Sequence, residues 1–93
     1  MALQILGTGP DPEEIAGKLR GLIEAALPDA AVEISAESAG HYRIRVVSRA
    51  FEGLGRVRQQ QLVYQAITPL MSGPHAPVHA VDRLESVVPP DES

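Results

Sequence analysis

Apolar residues recur along the chain in two rhythms, and each marks a different kind of element. The first rhythm runs through Ile15, Leu19, Leu22, Ile23, Ala26 and Leu27, which is one face of a 3.6-residue period. Asp11 stands where an N-cap belongs, Pro12 suits the first helical position, and Glu14 follows three residues after Asp11 as in a capping box. Pro28-Asp29 stops this helix. Gly17 and Gly21 lie off the apolar stripe and cost about 1 kcal/mol each against Ala, so packing rather than propensity must hold it.

The period then changes to two. Val32 and Ile34 alternate with Glu33 and Ser35, and Tyr42, Ile44 and Val46 alternate with Arg43, Arg45 and Val47. These are strands with one buried face. The link Ala36 to Gly40 is short and carries Gly, so the pair is expected to form an antiparallel hairpin, with Glu33 near Arg43 or Arg45 on the outward face. Phe51 to Gly55 reads as a turn. A second helix is expected from roughly Arg56 to Thr68, apolar at Val57, Leu62, Val63, Ala66 and Ile67 with Leu70 and Met71 beyond, and it ends or kinks at Pro69, which cannot donate to the carbonyl of Gln65. Breakers fill residues 72–77. Residues 78–88 read as a third strand of poor alternation. The order helix, strand, strand, helix, strand implies an α+β fold, αββαβ, with both helices on one face of a three-stranded mixed sheet. Residues 11–88 form the expected domain, with flexible tails at 1–10 and 89–93.

A length of 93 residues is one small domain. With one Phe, two Tyr and no Trp, its core must be mostly aliphatic. The absence of Cys excludes disulfides, thiol catalysis and any metal site built from the chain's own thiolates, and it fits a reducing compartment such as the cytoplasm. No apolar run approaches the roughly 18 residues of a membrane span, so no membrane is expected among its partners. Met1 to Leu6 is apolar but lacks a basic flank and is too short for a secretory leader.

Charge is unevenly spread. The net charge is −4, yet residues 43–58 carry Arg43, Arg45, Arg49, Arg56 and Arg58 against Glu52 alone. Such a block suits an anionic partner or a nucleic-acid backbone. It also suits a solvated strand face paired with acids, because Arg43 and Arg45 alternate with apolar residues. The acidic remainder argues against a general phosphate-binding surface.

Catalytic machinery is missing from the pattern. No Ser sits in a G-x-S-x-G elbow, the three histidines lack H-E-x-x-H spacing, and Gly53 and Gly55 supply only G-x-G, without a P-loop lysine. A binding domain is therefore expected, not an enzyme. His41 opens the second strand, His79 opens the third, and His75 lies in the loop before it. A neutral imidazole ligates transition metals and can replace Cys at one iron of a [2Fe–2S] centre. Three histidines without thiolates make a poor private site, but one or two of them, His41 and His79, suit completion of a cluster whose sulfur ligands come from another molecule, while His75 reads as a loop residue. Hydrogen-bonded polar residues at strand ends are the other reading, and spacing alone does not choose.

The segment His41 to Ser48 followed by Phe51-Glu52-Gly53-Leu54, the run Arg56 to Tyr64, and Val78-His79-Ala80-Val81 together resemble the BolA-like family over about residues 13–85. Gln59-Gln60-Gln61, where many members have Arg-His-Arg, is similar to the YrbA/IbaG-type branch. The resemblance implies a fold related to type II KH domains and partnership with a monothiol glutaredoxin. In such complexes a [2Fe–2S] cluster is shared. The glutaredoxin Cys and glutathione supply thiolates, and the BolA-like partner supplies the His that begins its third strand, here His79. The family's second ligand, a Cys or His in the hairpin loop, has no counterpart among residues 36–40, and His41 is the nearest candidate. Residues 87–92 also depart from the usual Thr-Pro-x-Glu after the third strand. The family is described as transcriptional regulators too. In that reading the turn Gly53-Leu54-Gly55 with Arg56 and Arg58 would approach nucleic acid, although the turn is one residue short of the KH G-x-x-G. The same basic block, Arg43 and Arg45 included, would equally dock the anionic face of a glutaredoxin or its glutathione.

Overall fold

The computed structural model describes residues 11–90. The expected N-terminal tail and the last three residues of the C-terminal one lie outside them. The elements follow in the order α1 (Pro12–Ala26), β1 (Ala31–Ser38), β2 (His41–Val47), α2 (Arg56–Met71) and β3 (Ala80–Val87), with one turn of 3-10 helix over Arg49–Phe51 between β2 and α2. The sheet order is β1-β2-β3, antiparallel between β1 and β2 and parallel between β2 and β3. This is the expected α+β arrangement.

Helix α1 forms as its cap and stripe dictate. The Asp11 side chain accepts a hydrogen bond from the Glu13 amide at 3.0 Å, and Ile15, Leu19, Ile23 and Leu27 are buried. The Glu14 half of the capping box does not form among the described residues. From the sheet, Tyr42, Ile44 and Val46 meet these side chains, and Val63 and Ile67 of α2 complete the layer.

Several expectations need refinement. The hairpin link is shorter than Ala36–Gly40. Strand β1 runs to Ser38 because Glu37 is an extra residue in the ladder, with Ala36 opposite Tyr42 and Ser38 opposite His41. Phe51 lies in the expected turn region but not at its surface side. The 3-10 turn drives it fully inside, where a side chain of its size contributes on the order of 1.5–3 kcal/mol. Helix α2 does not stop at Thr68. Pro69 sits on the exposed side of the helix, and Leu70 and Met71 pack against the core and hold the last turn. Val57, read as part of the apolar face, is instead 67% exposed.

Strand β3 begins at Ala80 rather than Val78. Val78 is buried and its amide donates to the Leu70 carbonyl at 3.1 Å, so it belongs to the end of α2. The poor alternation has a structural cause. Tyr42 pairs with Val81 but Arg43 pairs with Arg83, which leaves Asp82 as a bulge. Val81 and Leu84 therefore both reach the core across an irregular interval.

A buried polar corner ties the ends of α1 and β2 together. Ser48, fully buried, donates from Oγ to Asp29 Oδ1 at 2.7 Å and accepts from the Ala50 amide at 3.0 Å. The Arg49 amide donates to Asp29 Oδ2 at 2.8 Å. These bonds from the Arg49 backbone and the Ser48 hydroxyl hold the Asp29 pKa below its ordinary value. A carboxyl with a depressed folded-state pKa stabilises the fold above its unfolded pKa and loses that contribution as pH falls through the folded value. Replacing Asp29 by Asn is thus expected to lower stability at pH 7, with the gap to the parent shrinking below about pH 4. Urea denaturation from pH 7 to pH 2 measures this, and a gap independent of pH would contradict it.

Candidate functional site

His41 and His79 meet at the junction of the β1–β2 turn with the start of β3, Arg43 and Arg45 lie on the face of the sheet away from the helices, and Arg56 and Arg58 stand at the start of α2. At the junction, Gly40 adopts φ +77°, a left-handed conformation that only Gly takes without strain. Its carbonyl accepts two backbone hydrogen bonds, from His79 at 2.8 Å and from Ala80 at 3.1 Å. The apex of the hairpin and the entry to β3 are thereby joined.

His79 immediately precedes β3 and is exposed. Among the described residues its ring nitrogens make no hydrogen bond, so the imidazole is accessible and unsatisfied from within. His41 sits one residue after Gly40 and is differently placed. Its Nδ1 lies 2.9 Å from Asp82 Oδ1, both side chains being about two-fifths exposed. A carboxylate only accepts, so Nδ1 carries the proton, and in the neutral ring Nε2 keeps the lone pair. The bulge that breaks the β3 alternation is what aims Asp82 at this ring. His75 is exposed in the loop after α2.

No group of three or more His, Cys, Asp or Glu among the described residues is placed to hold a metal ion, and the chain has no Cys. The junction therefore cannot cage a metal alone. It does offer an accessible imidazole at His79 and a second, carboxylate-held imidazole at His41.

On the open face, Arg43 and Arg45 project as expected, beside Arg83. The expected partner of Arg45 was Glu33, and Glu33 is indeed opposite it in the ladder. The ion pair forms on the other side. Arg45 Nε lies 3.7 Å from Glu85 Oε1, and Arg83 Nη2 lies 3.2 Å from Glu85 Oε2. Arg43 faces Arg83 in register and has no carboxylate within ion-pair distance among the described residues. These side chains, with Glu33, Ser35 and Ile34, line a groove of about 220 Å³. The sequence reading of a paired face thus holds for Arg45 and fails for Arg43. Elsewhere in the basic block, Arg49 pairs with Glu52 at 3.3 Å.

Gly53 (φ +77°) closes the turn before α2, and Gly55 is that helix's N-cap, with no side-chain cap bond. Arg56 and Arg58 occupy the first turn, exposed and with no acidic residue beside them in that turn. Cations there oppose the helix dipole, so this end of α2 favours an added anion. Arg56 also borders a groove of about 360 Å³ with Gln60, Arg83 and Glu85.

Three contributors were not visible in the sequence. Asp82 hides as one acid among several, because its bulge arises only from pairing. Gly40 reads as a turn former, and what rests on it is set by β3. Gln59 bridges three elements: its Nε2 donates to the carbonyls of Phe51 at 3.2 Å and Leu54 at 2.9 Å, and its Oε1 accepts from Ser86 Oγ at 2.9 Å. It anchors the Gly53–Gly55 turn.

The comparisons with known proteins agree with this fold. The family model described as BolA-like protein matches residues 23–84. A protein of Acinetobacter guillouiae, described as an uncharacterized protein in the rpoN-murA intergenic region, is 38% identical over 64 residues, covering 69% of this chain and 74% of that one. Mouse BolA-like protein 1 is 33% identical over 72 residues, covering 68% of this chain and 50% of that one. The chain thus spans about half the length of its mammalian relatives. Among solved structures, BolA1 from Arabidopsis thaliana superposes with a TM-score of 0.68 at 23% identity, covering 84% of this chain and 95% of that one. The solution structure of mouse BolA1 superposes with a TM-score of 0.63 at 28% identity, covering 96% and 72%.

The tautomer of His41 is open to measurement. Nitrogen-15 spectra of the parent are expected to show Nδ1 protonated and Nε2 bare. Asp82→Ala should release the ring to the mixture of tautomers found in a free imidazole. An unchanged pattern in the variant would show that Asp82 does not hold it.

Proposed function

The chain belongs to the BolA-like family, and we propose that it is a non-enzymatic adaptor in iron–sulfur cluster trafficking, binding a monothiol glutaredoxin and helping to ligate a shared [2Fe–2S] cluster. The observation that carries this reading is the exposed imidazole of His79, whose ring nitrogens have no partner among the described residues. An imidazole buried against its own backbone would be useless to another molecule's iron.

The donor set fits a shared site and not a private one. The chain has no thiolate to give and no ready-made cluster of ligands among the described residues. What it can lend is one nitrogen lone pair, with the thiolates coming from the glutaredoxin Cys and its glutathione. The cluster is cargo, and its iron takes histidine at the imidazole lone pair. His79 contributes that lone pair, which requires its donor nitrogen to be unprotonated. His41, with Nδ1 engaged by Asp82, keeps Nε2 for a second ligation or for shaping the site. Carboxylate support of a ligating imidazole fixes its tautomer and raises its basicity. The cytoplasm is the compartment this role implies. No described helix is long and apolar enough to cross a membrane.

The test is a His79→Ala variant mixed with [2Fe–2S]-loaded glutaredoxin. The parent is expected to change the visible circular dichroism of the cluster, and the variant to leave it as in the glutaredoxin alone. A variant that reproduces the parent spectrum and cluster lifetime would remove His79 as ligand.

One observation favours a second reading, a DNA-binding transcriptional regulator. Arg56 and Arg58 crowd the positive end of α2 with no acid in the first turn, which suits a backbone phosphate. In that case Arg56→Ala with Arg58→Ala should weaken binding to duplex DNA and reduce the slope of log affinity against log salt by about 2. No binding by the parent at low salt would eliminate this reading.

A further inference from the structure

The glycine at position 40 does more than permit the turn. A Cβ built there would stand 2.5 Å from Nδ1, 2.7 Å from Cγ and 3.1 Å from Cε1 of His79. A contact made along the in-plane lone pair of Nδ1 would leave both neighbouring carbons much farther away. Close approach to three adjacent ring atoms means that the face of the imidazole lies on residue 40. The same residue also accepts the amides of His79 and Ala80. Backbone and ring of His79 are thus registered against one residue, while His79 as a whole stays exposed.

We infer that Gly40 is a positioning residue for His79: its bare α-carbon is the seat that sets the plane of the imidazole, and any L side chain at position 40 pushes the ring off it. The seat is a property of the free chain. Its consequence for binding rests on the reading of His79 as a ligand. A ligand presented in a fixed plane meets an incoming metal without reorganising, and loss of such support commonly lowers metal affinity by about 10- to 100-fold.

A matched control separates the seat from backbone strain. Gly73 has φ +93°, and a Cβ there meets nothing within 4 Å. Gly40→Ala and Gly73→Ala both force an L side chain into left-handed backbone, but only the first touches His79. In the parent, nuclear Overhauser contacts are expected between the His79 ring protons and the Gly40 α-protons. Gly40→Ala should shift the His79 ring resonances and weaken binding to [2Fe–2S]-loaded glutaredoxin by roughly tenfold or more, while Gly73→Ala does neither. Absence of the contact in the parent overturns the inference, even if Gly40→Ala does not fold. So do unmoved ring resonances in Gly40→Ala. If the ring moves and binding holds while His79→Ala abolishes it, the positioning role falls and the ligand reading stands. If binding is also indifferent to His79→Ala, both fall.

Discussion

The Gly40 carbonyl is the point on which the site depends. Two successive amides, of His79 and Ala80, donate to it, and this is where β3 joins the sheet beside β2. Each bond contributes on the order of 1 kcal/mol net, which is modest, but their placement decides geometry. They bring the hairpin apex and the entry to β3 together, although these lie about forty residues apart in the chain. Because residue 40 has no side chain, the space above it is taken by an imidazole. Two residues past Ala80, the bulge at Asp82 turns a carboxylate toward His41. The two histidines owe their different states, one unengaged and one held, to how this junction is tied.

The same pairing redistributes the charge. In sequence, residues 43–58 form a basic block. Folded, the parallel alignment brings Glu85 to both Arg45 and Arg83, and Arg49 turns to Glu52. Exposed pairs of this kind add little stability, but they cancel local field. What stays uncompensated is Arg43 on the open face and Arg56 with Arg58 at the start of α2. A partner drawn by charge would find separate, small basic spots on an otherwise acidic molecule. That distribution suits a protein docking surface better than a long nucleic-acid track.

Local chemistry made much of the fold legible. Asp11 and Pro12 mark the start of α1, the spacing of Ile15, Leu19, Ile23 and Leu27 gives its buried face, and Tyr42, Ile44 and Val46 give that of β2. The misses were tertiary. A local rule ends or kinks α2 at Pro69, because the pull of Leu70 and Met71 toward the core is invisible to it. The full burial of Phe51 within its turn depends on a space that only the fold shows. The alternation of β3 looked poor because a bulge shifts its phase, and a bulge belongs to a pair of strands. For the site, the pattern of residues pointed to His41 and His79 as candidates, while the role of His79 came from family resemblance. Neither Gly40 as a seat nor Asp82 as a partner of His41 has a signature within its own strand.

The central claim is that His79 presents an accessible imidazole to a cluster held by another protein. Selective labelling of the histidine rings, followed by NMR during titration with [2Fe–2S]-loaded glutaredoxin, tests it directly. The account predicts that the His79 ring signals shift and broaden first, by proximity to the paramagnetic centre, while those of His75 persist. If backbone amides elsewhere report binding and the His79 ring signals remain sharp and unshifted, the account is contradicted.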